Sequence, residues 1–356
     1  MSETIEGSSL TIHWLKQRVF EAFPLPQKDG QKMEEPQLKS WSSGKIGENK
    51  GFASFIVKVS FEWTSCQDVL PKSIVVKLPT VDKLKDATKE LMGDNQNFFD
   101  DLIPEIHKKE VNFYQMWTTA GMKPPIKIPR CYFGQYITTE MPGVLLFEDL
   151  SELGAQQTLG HCLTLPQALQ IAEEVASLHA WSLKHQGQWE EKFPFWDKKL
   201  FGNLEQSVKA VYDKCRKEFC PQYFDLDLVN KFENQAMSID ESLWYAFTVH
   251  QEFNMPPVLV HGDLWVGNMM FKAVPGSDPD KKVPSDQLLV IYDWQIAEEV
   301  ASLHASSLKH QGQWEEKFPF WDKKLFGNLE QSVKACLLTS VERTSVHNIF
   351  DLEFGK

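Results

Sequence analysis

The sequence predicts an α+β fold of two lobes: an antiparallel-sheet lobe with one main helix, then a mostly helical lobe carrying a short hairpin. Three observations carry that expectation. Ala53, Phe55, Val57, Val59, Phe61 and Trp63 alternate strictly with the intervening residues, the period of a half-buried strand. From residue 166 onward Leu169, Ala172, Val175 and Leu178 recur at helical spacing. Two apolar runs, PVLVHGDLWVGNMMFK and QLLVIYDW, then flank a polar, Pro-rich loop at 274–286.

The elements follow in order. Ile12, Leu15, Val19 and Phe23 predict a helix over 9–23, with Ser8 or Ser9 as its cap. A loop rich in Pro, Gly, Lys and Gln comes next, and SGKIGENKG at 43–51 leads into the alternating strand. SIVVKL at 73–78 is a second strand. Pro104 suits the first turn of a helix running to about Ala120, with Gly121 just past its end. Short strands are expected at 131–137 and 143–148. The lobes therefore divide as 1–147 for the sheet lobe and 148–294 for the hinge and helical lobe.

Residues 295–335 stand apart. They repeat residues 170–210 with a single difference, Ser306 in place of Trp181. Solenoid repeats diverge and stack beside one another, whereas these two stretches are nearly identical and have no repeating neighbours. Such identity points to a recent copying event or to an error in the gene model. The second stretch has the same helix-forming sequence as the first, which predicts a helix at about 297–310. Its apolar stripe matches a place the first copy already fills, so part of it should be poorly buried. A tail, 336–356, follows.

Composition narrows the function. The 356 residues are 42% hydrophobic and 24% charged, ordinary values for a folded globular chain. A net charge of -12 repels phosphate backbones and argues against nucleic acid as a partner. No apolar run approaches the roughly 20 residues of a membrane span. The polar start MSETIEGSS does not read as a signal peptide. Six cysteines, of which only Cys215 and Cys220 are close, form neither a disulfide framework nor a metal motif. A cytoplasmic location is the expectation.

The hairpin carries the chemistry. His261-Gly262-Asp263 precedes Asn268 by the spacing H-G-D-x-x-x-x-N, and Asp293 ends the next apolar run. Phosphoryl transfer uses this inventory. One Asp positions the acceptor hydroxyl, while an Asn and a second Asp hold Mg²⁺ against nucleotide phosphates. Asp263 with His261 is thus the catalytic candidate, and Asn268 with Asp293 the metal candidate. The sheet lobe supplies candidates for ATP. Gly47 and Gly51 flank a turn whose backbone amides can approach phosphates. Lys77 lies in an apolar strand, where a lysine needs a partner or an exit to solvent. Glu110 on the next helix could pair with it. Phe147, Glu148 and Asp149 lie where the chain crosses between lobes and offer backbone groups for adenine. Taken singly, each residue has an ordinary reading as a turn former, a cap or helix surface; the ordered set carries the argument. His179 and its copy His304 read as core histidines, and Cys131, Cys162 and Cys336 as buried or incidental thiols.

HGDLWVGN, IYDWQ, the NKGFAS loop that ends at Ser54, and LLFEDLS resemble the CHK-type kinase-like family of animals. That family is related to choline/ethanolamine kinases, ecdysteroid kinases and aminoglycoside phosphotransferases. The resemblance runs from about residue 40 to Gln295. It implies a protein-kinase-like fold, ATP with Mg²⁺ as cofactors, Ser54 beside the nucleotide, and phosphorylation of a small-molecule hydroxyl. D-W-Q in place of D-F-G, with no A-P-E after it, favours a small-molecule acceptor over a protein. The family continues after D-W-Q with a segment that closes the acceptor pocket. Here the second copy begins instead, which leaves an alternative: a chain that binds ATP as a pseudokinase, or a non-functional product, because the acceptor wall is missing.

Overall fold

The computed structural model describes residues 4–25, 27–28, 31–32, 35–46, 53–66, 68–92, 96–119, 121–157, 163–194, 256–279, 281–294 and 297–299, with isolated positions between 199 and 240. Helix α1 (Ile12–Ala22) begins at Thr11, whose side chain accepts from the Trp14 amide; Ser8 and Ser9 precede the cap. A two-stranded ribbon, β1 (Gln27–Lys28) and β2 (Gln31–Lys32), follows. Then come β3 (Leu38–Lys45), β4 (Ser54–Trp63) and β5 (Ser73–Pro79). Helices α2 (Asp82–Met92) and α3 (Phe98–Thr119) lead to β6 (Cys131–Gln135) and β7 (Val144–Glu148).

The five long strands form one antiparallel sheet in the order β3-β4-β5-β7-β6. Alternation assigns each face. Val57, Val59, Ile74, Val76, Val144 and Leu146 pack against Leu15 and Val19 of α1. Val75, Leu145 and Phe147 face the opposite way, toward Val111, Phe113 and Tyr114 of α3. One sheet therefore buries both faces, each under one helix. Edge strand β3, LKSWSSGK, carries no apolar alternation and is largely exposed. Its register with β4 holds it through backbone hydrogen bonds, so no side-chain pattern marks it.

Two departures from expectation have local causes. Helix α3 starts at Phe98, so Pro104 lies inside it. A proline there removes only the donor that would have bonded the Asp100 carbonyl, and the turn before it is fixed from outside. Lys85 of α2 pairs with Asp100 at 2.7 Å, and Phe99 and Leu102 pack with Leu84. Helix α2 is an addition to the expected elements; Leu84, Ala87 and Leu91 recur at helical spacing in its otherwise polar sequence DKLKDATKELM.

After β8 (Gly154–Ala155), helix α4 (Leu165–Lys184) begins with a capping box. Thr164 accepts from the Gln167 amide, Gln167 reaches back to the Thr164 amide, and Pro166 sits in the first turn. Strand β9 (Val258–Val260) leads through a 3₁₀ turn (Val266–Asn268) into β10 (Met269–Ala273) and β11 (Pro284–Ile291). The strands β11, β10 and β8 form a small antiparallel sheet. Leu178, Leu259, Met269, Phe271, Leu288 and Ile291 share one core with α3.

The copied segment corrects the expectation of a helix at about 297–310. Residues Ala297–Glu299 form strand β12, antiparallel to β9 in the register Ala297↔Val260 and Glu299↔Val258. The same AEE sequence is helical at 172–174 within α4. The rest of the copy and the tail lie outside the described residues.

Candidate functional site

Parity puts Lys77 where it is. In β5 the side chains of Ile74, Val76 and Leu78 turn toward α1, so Lys77 turns toward α3 and is buried. A lysine in such a place needs opposite charge. Glu110 of α3 supplies it: Lys77 Nζ donates to Glu110 Oε2 at 2.6 Å. The same ammonium donates to Asp293 Oδ1 at 2.6 Å. Three residues far apart in sequence thus meet at one nitrogen. Burial alone would lower the lysine's pKa, but Asp293 and Glu110 outweigh it, and the ammonium stays charged well above its ordinary range. Burial pushes the Glu110 carboxyl up to about 7 against the pull of Lys77.

Asp293 has a backbone φ of 62°, the left-handed region that a side chain avoids. Such a conformation costs on the order of 1 kcal/mol or more and persists where the surroundings impose it. Here they do. The flanking Tyr292 and Trp294 are both anchored. Tyr292 donates its amide to the Asn268 carbonyl at 3.0 Å and its hydroxyl to the Gly267 carbonyl at 2.7 Å. The Trp294 ring is buried, stacks on Phe113 with centroids 4.3 Å apart, and donates its N–H to the Ile291 carbonyl.

The loop after β9 is held just as closely. Asn268 Nδ2 donates to the Asp263 carbonyl at 2.9 Å and to Asp263 Oδ2 at 3.0 Å. With its amide nitrogen committed, Asn268 keeps its oxygen for another partner. Burial raises the Asp263 carboxyl, Asn268 counters that, and nearby Asp293 adds to the rise. Gly262, at φ 80°, supplies the turn between His261 and Asp263.

His261, expected beside Asp263 in the catalytic loop, anchors that loop. Its Nε2 faces the Tyr292 carbonyl at 2.9 Å, which can only accept, so Nε2 carries the proton. Nδ1 then accepts from the Asp263 amide at 3.2 Å. Both ring nitrogens are used inside the protein, and the ring is buried against Trp294. Burial lowers its pKa to about 4, keeping it neutral. Through these two contacts it fixes the loop that carries Asp263.

Phe147, Glu148 and Asp149, expected near adenine, each have partners within the protein. Phe147 is paired within the sheet on both sides, to Val75 and to Cys131. The Glu148 amide donates to the Arg130 carbonyl at 3.0 Å, and its carboxylate accepts the Arg130 amide at 2.7 Å. These two residues tie strands together. The Asp149 carboxylate pairs with Lys58 at 2.7 Å and accepts from Ser73 at 2.6 Å. Partial burial raises that carboxyl, and the hydrogen bonds from Lys58, Ser151 and Ser73 override it, bringing it down to about 2. Ser54 opens β4 opposite Pro79, on the face that Lys77 occupies. Gly47 and Gly51 lie outside the described residues. Sequence reading passed over Lys58 and Tyr292. The signal for Lys58 was its position in β4, on the Lys77 side of the alternation. The signal for Tyr292 was a hydroxyl at the end of the apolar run QLLVIYDW.

Among the described residues there is no cluster of three or more His, Cys, Asp or Glu side chains that could hold a metal ion. Mg²⁺ does not require one. It keeps waters and phosphate oxygens and takes one or two protein oxygens. The Asn268 amide oxygen and the Asp293 carboxylate are hard donors of that kind, joined by the bond from the Tyr292 amide to the Asn268 carbonyl. No described helix is long and apolar enough to cross a membrane.

The architecture is the expected α+β one: an antiparallel sheet with a lysine–glutamate pair to one long helix, then a hairpin bearing Asp263, Asn268 and Asp293. Among solved structures the chain is similar to a mutant aminoglycoside 2'-phosphotransferase in its GDP complex, with 14% identity and a TM-score of 0.38 over 85% of this chain and 82% of that one. It is also similar to an aminoglycoside phosphotransferase complexed with GDP and kanamycin, with 13% identity and a TM-score of 0.39 over 95% of this chain and 100% of that one. A curated relative from Caenorhabditis elegans, "Uncharacterized oxidoreductase dhs-27", is 25% identical over 285 residues, which are 75% of this chain and 31% of that protein. The chain thus spans about a third of the length of the curated relative it matches. The sequence model of the DUF1679 family, which bears the same description, matches residues 39–305, and the chain belongs to that family.

Proposed function

We propose that this chain is an ATP-dependent kinase acting on a hydroxyl group of a small molecule. The observation that carries the reading is the meeting of Lys77, Glu110 and Asp293 at one buried ammonium, beside a loop that fixes Asp263 to Asn268. Glu110 holds Lys77 extended toward the site, where its charge stabilises the nucleotide phosphates. Asn268 and Asp293 would hold Mg²⁺, which neutralises phosphate charge when bound. Asp263 receives the hydrogen bond of the acceptor hydroxyl and takes its proton as the oxygen bonds to the γ-phosphorus and ADP leaves. CHK-type acceptors such as choline, ethanolamine or hydroxylated sterols are the class to screen.

The relative's description as an oxidoreductase finds no dinucleotide fingerprint in this chain. No two of its glycines are separated by a single residue, so G-x-G-x-x-G is absent from the sequence. A second reading, nucleotide binding without transfer, is favoured by one feature. After Trp294 the chain repeats 170–210 where an acceptor wall is expected. A thermal-shift titration with Mg-ATP, followed by an ATP-consumption screen over those alcohols, tests both. Stabilisation with consumption supports the kinase. Stabilisation without consumption supports the second reading, and no stabilisation removes both.

A further inference from the structure

Helix α3 presents Glu110, and a single segment braces that helix from outside the sheet. Trp189 and Phe193 are fully buried in the core that α3 shares with α4. The Trp189 indole N–H donates to the Ser182 carbonyl at 2.9 Å. Two α3 side chains grip the segment's backbone: Asn112 donates to the Lys192 carbonyl at 2.8 Å, and Lys109 to the Pro194 carbonyl at 3.1 Å. The groove therefore recognises two aromatic side chains at a spacing of four residues and two backbone carbonyls.

The chain contains that recognition sequence twice. HQGQWEEKFP occupies 185–194 and again 310–319, without a difference. The last described element before the second occurrence, β12, lies beside the groove. β12 pairs Glu298 with Leu259, and the Leu259 amide donates to Ser182 Oγ, on the residue whose carbonyl holds Trp189. We propose that the α3–α4 groove is a docking site for a second segment of the same chain, Trp314–Pro319, and that the two identical segments compete for it.

The geometry also says which copy wins. Contacts made by identical sequences in one groove are equal, so the tether decides. Trp189 follows the end of α4 at Lys184 by five residues, and Trp314 follows Glu299 by fifteen. Loop closure over a threefold longer tether is about five-fold less favourable. The first copy also has Trp181, which packs edge-on against Trp117 and stacks on His185 with ring centroids 4.5 Å apart. The second copy has Ser306 there and loses both contacts. Trp189 therefore holds the groove, and Trp314 takes it when Trp189 is removed.

Thermal denaturation of the full chain tests this with three variants: Trp189→Ala, Trp314→Ala and the double variant. Trp314→Ala alone should melt with the wild type. A buried Trp→Ala change without a substitute should lower the melting temperature of the double variant by about 6–10 °C. Trp189→Ala alone should lose roughly 3 °C or less, because Trp314 replaces the lost side chain. Equal melting temperatures for Trp189→Ala and the double variant overturn the proposal, as does failure of Trp189→Ala to fold. A Trp189→Ala chain that is rescued only as a dimer places the occupant on a second molecule and overturns it too.

Discussion

Replacing Lys77 by methionine should make the protein's stability steeply dependent on alkaline pH. The side chain is buried and bonded at 2.6 Å to both Glu110 and Asp293. Methionine fills the volume but leaves Glu110 buried without its cation. Asp293 is a third exposed and regains solvent, so Glu110 carries the cost. Its carboxyl already stands at about 7 through burial, opposed by Lys77, and loss of the lysine moves it higher. A carboxyl raised in the folded state holds a proton that the unfolded chain has released. Stability is then full below the unfolded value and falls as pH rises through the folded one, by about 1.4 kcal/mol per pH unit. At pH 6 the variant keeps Glu110 neutral and should lose only about 1–2 kcal/mol, the cost of an imperfectly paired polar group. At pH 9 the loss should reach about 3–5 kcal/mol, that of a broken buried ion pair. Urea denaturation at pH 6, 7.5 and 9 measures both. Adding Glu110→Gln should flatten the dependence. A loss that is the same at all three pH values, or that Glu110→Gln leaves unchanged, would refute the account of the pair.

Other expectations follow from the same geometry. Asp263→Asn should lower turnover by about 10²–10⁴-fold while Mg-ATP still raises the melting temperature, because in the proposed kinase the carboxylate meets the acceptor and Lys77 meets the phosphates; steady-state kinetics and thermal shift read the two effects separately. His107, His179 and His261 are held neutral with pKa lowered to about 4, in each case chiefly by burial. A depressed histidine contributes stability that is complete above about pH 6.5 and is lost toward pH 4, so each should add up to about 1.4 kcal/mol per pH unit of acid sensitivity in that window. Replacing His179 by Gln should weaken the dependence seen in denaturation at pH 7, 6 and 5. Gly143→Ala should cost about 1–3 kcal/mol in chemical denaturation, since the new methyl would lie 2.5 Å from His107 Nε2 and 2.6 Å from an Ile137 side-chain carbon.

Much of the site was legible because chemistry and spacing travel together along the chain. Asp263 and Asn268 lie five residues apart on one turn, so a single hydrogen bond closes the loop between them. Lys77 was conspicuous as a charge in an apolar strand. His261 was not legible in the same way. Its setting depends on the Tyr292 carbonyl, which reaches it from just past the end of β11. Nothing in LLFEDL reveals that the strand holding Phe147 and Glu148 is paired on both sides, because those partners come from other strands. Edge strand β3 carries too little apolar patterning to announce itself.

The sequence by itself determined the alternating strands β4 and β5, the helix α4 with its capping box, and the ordered set Lys77, Glu110, Asp263, Asn268 and Asp293. These rest on local periodicity and residue type, which a linear chain displays directly. Tertiary structure decided the conformation of the copied segment. The same AEE is helix at 172–174 and strand at 297–299. In the first copy Thr164, Pro166 and Gln167 nucleate the helix before the repeat begins, removing the costly step of helix formation. In the second copy the preceding residues are the anchored Asp293 and Trp294, no capping box stands before it, and the edge of β9 offers its hydrogen bonds at once. Three residues have too small a preference of their own to resist either context.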